Sequence, residues 1–320
     1  MKKTIRAAGV VTMAAAMLLL GACGRGTTPS NEASGTTDTQ NGTGTVTIAL
    51  STLNNPFFVD VRDGAQAEAT AKGITLNVLD AQNDATTQAN QIQTAVTSKA
   101  GVIIINPVDS DAAVAAVQPA LSANIPVIAV DRGITGVNPA SFIASDNVAG
   151  GKQAADALAT AIGNKGEILW LQGQAGTSAS RDRGQGFSAQ IATYSDITVV
   201  GQQTANFDRT QGMDVTTNLL QAHPGIVGIF AENDEMALGA IQALGSKAGQ
   251  SVFVVGFDGS ADGLTAIQAG TLAATIAQQP KELGKAAVDA AATLLSGGTP
   301  AATQPMPVVT VTKANVAQFA

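Results

Sequence analysis

The stretch TVTIALSTLNNPFFVDVRDGAQAEA, Thr45 to Ala69, decides how the chain is read. TVTIAL is a β-branched run of strand length, Asn54-Asn55-Pro56 is turn chemistry, and FFVDVRDGAQAEA has the character of a helix. Phe57 and Phe58 therefore sit where a strand ends and a helix begins, the edge at which parallel α/β sheets hold their ligands. Adjacent residues at a helix start point in different directions, so packing into one core does not account for both rings.

The same rhythm extends through the chain. GVIIIN (Gly101–Asn106), PVIAVD (Pro126–Asp131) and SFIAS (Ser141–Ser145) read as buried strands, and ITLNVLD (Ile74–Asp80) precedes them. GEILWLQ, DITVVGQQ, GIVGIFA, SVFVVGF and LAATIAQ repeat the pattern between Gly166 and Gln278. Helix-like stretches lie between most of them, among them DATTQANQIQTAVTSKA and SDAAVAAVQPALSA, with Asp84 and Ser110 as their expected N-caps. Strand–helix alternation predicts parallel sheets covered on both faces. Roughly ten strands predict two sheets rather than one, because single cores stop growing near ~250–300 residues.

Before Thr45 the chain has another character. Lys2, Lys3 and Arg6 precede the apolar run AAGVVTMAAAMLLLGA, which is short for a membrane span and fits a secretory signal. Leu20-Gly21-Ala22-Cys23 resembles a bacterial lipobox, which implies cleavage before Cys23 and diacylglycerol on its thiol. The sole cysteine of the chain falls at that point, and it excludes an internal disulfide. Gly24–Gly44 is rich in Gly, Thr and Ser and reads as a flexible tether, about 25 Å from end to end as a coil.

Composition removes several classes of function. Hydrophobic residues make up 45% and charged residues 13%, a globular balance. The net charge is −7 and no basic block lies beyond the extreme N-terminus, so no nucleic-acid partner is expected. DNVAGGKQ (Asp146–Gln153) is not a Walker A loop, because Gln153 stands where Ser or Thr would meet magnesium and Asp146 where the first Gly belongs. His223 is the single histidine and reads as the cap at a helix C-terminus. Glu232, Asp234 and Glu235 read as first-turn acids of a helix. No metal set and no cofactor are expected, and no catalytic residue stands out.

What remains falls at one kind of place. Asn106, Asp131 with Arg132, Asn233, Asp258 and Gln278 each follow a predicted strand, at its carboxyl end. Their chemistry suits a polyol. Carboxylates accept, guanidinium groups donate, amides do both, and each sugar hydroxyl does both. Phe57, Phe58 and Phe207 offer apolar faces for a sugar ring.

In STLNNPFF, INPVDSDA, IPVIAVDR, IASDNVAGGK, LQGQAGTSASRDRGQGF, NLLQAHP, AENDEMALGA, VVGFDG and GTLAATIAQ the chain resembles the periplasmic ribose-binding proteins of bacterial ABC importers, from about Thr45 onward. The resemblance implies the type I periplasmic binding protein fold: two similar doubly wound, Rossmann-like parallel-sheet lobes joined by a three-stranded hinge. The lobes would comprise residues 45–145 with 279–307 and residues 146–278 with 308–320, after a signal peptide (1–22) and a lipidated tether (23–44). It carries over a sugar-binding set of Asn55, Phe57, Phe58, Asn106, Asp131, Arg132, Arg183, Phe207, Asn233, Phe257, Asp258 and Gln278. Arg181 goes to the surface or to contacts between lobes. The implied role is a non-enzymatic, monomeric receptor that delivers D-ribose to a permease and its ATPase, with a possible chemoreceptor as a further partner. Allose or another pentose is the alternative ligand. A repressor's effector domain fits poorly with a secretion signal. A sugar-processing enzyme would need Asp131 or Asp258 as a proton shuttle, whereas a carboxylate beside arginine is expected to stay ionised.

Overall fold

The structure, a computed structural model, describes residues 44–319. The expected leader, Cys23 and the tether up to residue 43 lie outside the described residues. Among the described residues no helix is long and apolar enough to cross a membrane.

The first half of the chain alternates β1 (Thr45–Leu50), α1 (Pro56–Ala71), β2 (Thr75–Asp80), α2 (Ala85–Thr97), β3 (Val102–Ile105), α3 (Ala113–Ser122), β4 (Val127–Val130) and β5 (Ser141–Ser145). The rhythm then repeats as α4 (Asn147–Ala161), β6 (Gly166–Gln172), α5 (Ser178–Ile191), β7 (Ile197–Thr204), α6 (Arg209–Ala222), β8 (Gly228–Ala231), α7 (Asp234–Leu244), β9 (Phe253–Asp258), α8 (Ala261–Ala269) and β10 (Ala274–Ala277). The chain closes with α9 (Pro280–Leu295), β11 (Thr303–Met306) and β12 (Val309–Thr312). Two six-stranded sheets result, in the orders β11-β5-β4-β3-β1-β2 and β12-β10-β9-β8-β6-β7. Each is the core of an α/β lobe.

The central strands β3, β4, β8 and β10 are buried along their whole length, as strands covered on both faces require. The edge strand β2 alternates instead. The helices begin where short polar side chains cap them. Asn55 Oδ1 accepts from Phe57 N ahead of Pro56, and Asp84, Asp146, Thr177, Asp208, Asn233 and Ser260 cap α2, α4, α5, α6, α7 and α8. His223 ends α6 as its C-cap.

Three features differ from the sequence reading. Ser110 does not cap α3; Asp109 Oδ1 instead accepts from the backbone N–H groups of Asp111 and Ala112, and the helix starts after Ala112 with no side-chain cap. β11 and β12 were not read as strands. TQPM carries Pro305, which a strand tolerates at a sheet edge, and both segments are short and half-exposed. β12 pairs antiparallel with β10, while every other strand pair is parallel.

The chain passes between the two layers three times. It goes from β5 into α4, which packs on β8, β9 and β10; from β10 into α9, which packs on β3, β4 and β5; and from β11 to β12. Three helix pairs make backbone-to-backbone contact at facing glycines, α6 and α7 through Gly212 and Gly239 among them. A Cβ on Gly151 of α4 would strike the Arg183 carbonyl oxygen, and one on Gly186 of α5 the Val148 carbonyl oxygen. Gly64 of α1 and Gly284 of α9 meet in the same way.

Candidate functional site

The carboxyl ends of strands from both sheets converge on one cleft of about 270 Å³, lined by Asn55, Phe57, Phe58, Asp131, Arg132, Ala179, Arg183, Phe207, Asn233, Asp258 and Gln278. Ten of the twelve residues singled out in the sequence stand on its wall. The other two lie behind it. Asn106 is fully buried; its Nδ2 donates to Asp131 Oδ2 (3.1 Å) and to the Val130 carbonyl, and its Oδ1 accepts from Ser51 N. Phe257 is fully buried, with the Arg183 guanidinium 3.8 Å from its ring centroid.

The aromatic wall is built at two helix-side turns. Phe57 and Phe58 meet edge to face at 5.2 Å in the first turn of α1; contrary to the expectation that one core could not hold both rings, both belong to the core of the first lobe, and both also line the cleft. Phe207 follows Asn206, and both adopt left-handed backbone (φ 59° and 53°). Asn233 Nδ2 holds that turn by donating to the Phe207 carbonyl, while its Oδ1 caps α7. The Arg132 guanidinium lies 5.2 Å from the Phe58 centroid and 5.6 Å from that of Phe207.

Charged groups of opposite sign alternate around the cleft without pairing closely. Arg132 Nε is 3.8 Å from Asp131 Oδ2, and Arg183 Nη1 is 3.8 Å from Asp258 Oδ1. Protein groups hold each in place from behind. Arg132 Nη1 donates to the Pro107 carbonyl. Arg183 donates through Nε to Asn147 Oδ1 (2.8 Å) and through Nη1 to the Glu232 carbonyl (2.6 Å). Gln278 Nε2 donates to Asp258 Oδ1 (2.7 Å). Asp131 and Asp258 have positive φ, 63° and 129°, a conformation costly for a residue with a Cβ and concentrated at functional sites. Among the described residues six buried side-chain polar atoms have no partner, and Asp131 Oδ1, Arg132 Nε and Gln278 Oε1 of this cleft are three of them.

Burial and the neighbouring arginines pull on the two carboxyl groups in opposite directions. Burial raises Asp131 above the ordinary carboxylate range against the pull of Arg132 and Arg183. Burial raises Asp258 well above it, with Arg183 opposing. The reason is distance: 3.8 Å is too long for a charge-assisted hydrogen bond, so desolvation wins. Arg132 is pulled down to about 10 by burial and stays cationic at neutral pH.

Two acids read as first-turn residues have different roles. Glu232 precedes the cap of α7 and is fully buried; it accepts from Trp170 Nε1, Gly173 N and Ser180 Oγ, and burial pushes it up to about 7. Asp234 is in the first turn but buried. It accepts from Ser260 and Thr275, tying α7 to β9–α8 and β10, and burial pushes it up to about 6. Only Glu235 behaves as a surface acid, in a bidentate pair with Arg209. Sequence reasoning also passed over Ala179 on the wall and Asn147 behind Arg183. Glu232 had one signal: it stands before the capping Asn233, outside the helix. Arg181 is exposed and donates to the Gly176 carbonyl within its own lobe.

Two lobes with a polar cleft at their facing strand ends define a solute-binding protein, and the chain belongs to the periplasmic binding protein domain family, whose model matches residues 46–299. The chain is 48% identical over 253 residues to the ribose import binding protein RbsB of Escherichia coli, covering 79% of this chain and 85% of that one. It is 43% identical to the ribose import binding protein RbsB of Bacillus subtilis, over 79% and 82% of the two chains. Solved relatives share the fold. An ABC transporter solute-binding protein of Bacillus halodurans with bound myo-inositol superposes with a TM-score of 0.83 at 32% identity, over 87% of this chain and 98% of that one. One of Actinobacillus succinogenes with bound D-allose gives 0.80 at 32%, over 86% and 99%.

Proposed function

We propose that this chain captures D-ribose between its two lobes and delivers it to an ABC import permease, acting as a receptor and not an enzyme. The observation that carries this reading is the set of two carboxylates and two guanidinium groups that interleave in one buried cleft, each held from behind and neither opposed pair closer than 3.8 Å. Hydroxyls that both donate and accept fit between such groups; a purely anionic or cationic solute satisfies only half of them. Asn55, Asn233 and Gln278 supply the amides, Phe58 and Phe207 the ring faces, and Asn106 and Phe257 support from behind. The ribose import relatives, at 43–48% identity, support the same sugar.

The mechanism follows from size. Micromolar binding needs about 8 kcal/mol, or roughly 0.8 kcal/mol per heavy atom for a pentose, about half the ~1.5 kcal/mol ceiling for very small ligands and well above the ~0.3 usual for drug-sized ones. Such density requires enclosure from both sides. The residues 45–145 with 279–307 and the residues 146–278 with 308–320 therefore act as jaws, and the sugar shifts their equilibrium toward closure. An analogue lacking a hydroxyl leaves a buried charge unpaired and is rejected. Lipid on Cys23 would hold the protein on the extracytoplasmic face of the membrane, within reach of the permease.

Titration calorimetry of the Cys23→Ser protein against pentoses and hexoses tests the reading. Saturable heat with ribose, and weaker heat with other pentoses, is the expected result; no heat with any monosaccharide would refute it. Tighter binding of allose would favour the second reading, which the allose-bound structural relative supports.

A further inference from the structure

Beside the cleft, three hydrogen bonds cross between the sheets' layers and involve no cleft-lining side chain. Ser110, in the loop after β3, donates its N–H to the Gly176 carbonyl (3.0 Å) and accepts at Oγ from Ser178 N (3.0 Å). Ser178, the first residue of α5, accepts at its own Oγ from Gly133 N (2.8 Å), in the loop after β4. Ser110 is fully buried, and its carbonyl accepts from Thr135 N, so one residue ties the loops after β3 and β4 together and joins both to α5. The approach is close enough that Gly176 is required. Its φ is +84°, and a Cβ there would collide with Asp109 Oδ2.

We infer that Ser110 and Ser178 form a clasp between the lobes that sets how long the closed state lasts. The inference rests on the reading of the cleft as a sugar trap. Each serine uses its backbone N–H as donor and its hydroxyl as acceptor, so the crossing bonds are reciprocal and exist only when the lobes are together. Opening exchanges them for water. They therefore favour the closed form over the open one by the modest margin of neutral hydrogen bonds, about two- to tenfold for each bond lost. Neither serine lines the cleft, so the sugar's own contacts are left intact. The signature is a change in dissociation, since encounter precedes clasping. Ser110 and Ser178 are positioning residues, and the neighbouring Ala179 brings the clasped helix end onto the cleft wall.

The test uses Ser110→Ala, Ser178→Ala and the double variant in the Cys23→Ser background. Release of radiolabelled ribose is followed after dilution into unlabelled sugar, together with the association rate and the melting temperature without ligand. Each single variant is expected to release ribose about two- to tenfold faster and the double variant faster than either, with association within about twofold and an unchanged melting temperature. Unchanged release in the double variant would overturn the clasp. So would slower association together with a lowered ligand-free melting temperature, which would mark a purely structural role. If the parent protein binds no sugar, the functional reading fails and the clasp is decided separately. Nitroxides at Ala112→Cys and Gln185→Cys, both exposed, then report the distance between lobes: a shift toward longer distances in the double variant supports the clasp, and an identical distribution sinks it.

Discussion

Arg183 shows how one residue reaches its place. It is held through Nε by Asn147, through Nη1 by the Glu232 carbonyl, and from one face by Phe257. These partners orient it toward Asp258 but stop short of a direct hydrogen bond. Arg183→Ala or Asp258→Ala is expected to weaken ribose binding at least tenfold while circular dichroism and the melting curve stay close to those of the parent; unchanged calorimetric affinity in both would remove these groups from the site. Glu232 gives a pH effect with a definite sign. Its carboxyl is raised to about 7 in the folded chain, against 4.5 as the ordinary value. The folded protein therefore binds more protons than the unfolded one between those values. Its stabilising contribution is complete below about pH 4.5 and is lost as pH rises through about 7, on the order of 3 kcal/mol in full. Melting scans of Glu232→Gln should fall less steeply than those of the parent across that window, and parallel curves would contradict the shift. The polar residues at strand ends were legible only as a set: one Asn or Asp after a strand is ordinary turn chemistry, whereas six polar residues recur after successive strands. Glu232 and Asp234 were not legible, because the dipole at a helix start offers a sufficient reason for acids there, and only the tertiary fold buries them.

Among the elements, the N-cap expected at Asp84 is the one that stands, since its side chain accepts from Thr87 N at the start of α2. Ser110 failed the same test, because its hydroxyl is engaged by Ser178 from the other lobe, a partner that local sequence does not reveal. β11 was invisible because a short strand with Pro305 has no hydrophobic period; β12, VTVT, alternates but is only four residues long, and each depends on a neighbour for its pairing. The α4–α5 contact leads to a test. Gly151→Ala puts a methyl group against the Arg183 carbonyl and forces the helices apart, at a cost of roughly 1–3 kcal/mol. Because α4 carries Asn147 and α5 carries Arg183, the same change should also reduce ribose affinity. Loss of stability with full affinity would mean that the helices part without moving the guanidinium group.

At the scale of the molecule, the two sheets follow from the alternation of strands and helices. Their pairing into one receptor was reached only through family resemblance, since no local pattern fixes which edge the chain returns to. The lipid anchor proposed at Cys23 belongs to this scale as well. Cys23→Ser should move the protein from the membrane fraction to the soluble extracytoplasmic fraction, read by fractionation and immunoblot, with its ribose affinity unchanged. Equal partitioning of parent and variant would exclude the anchor.

The order in which the layers are visited also bears on biogenesis. A nascent chain that has emerged only as far as Gln278 lacks α9, which covers β3, β4 and β5, as well as the outermost strand of each sheet. Neither half is finished before β11 and β12 have been made. Until then an apolar face stays uncovered and strand edges stay unpaired, the condition in which a partly made chain is slow to compact and prone to misassociate.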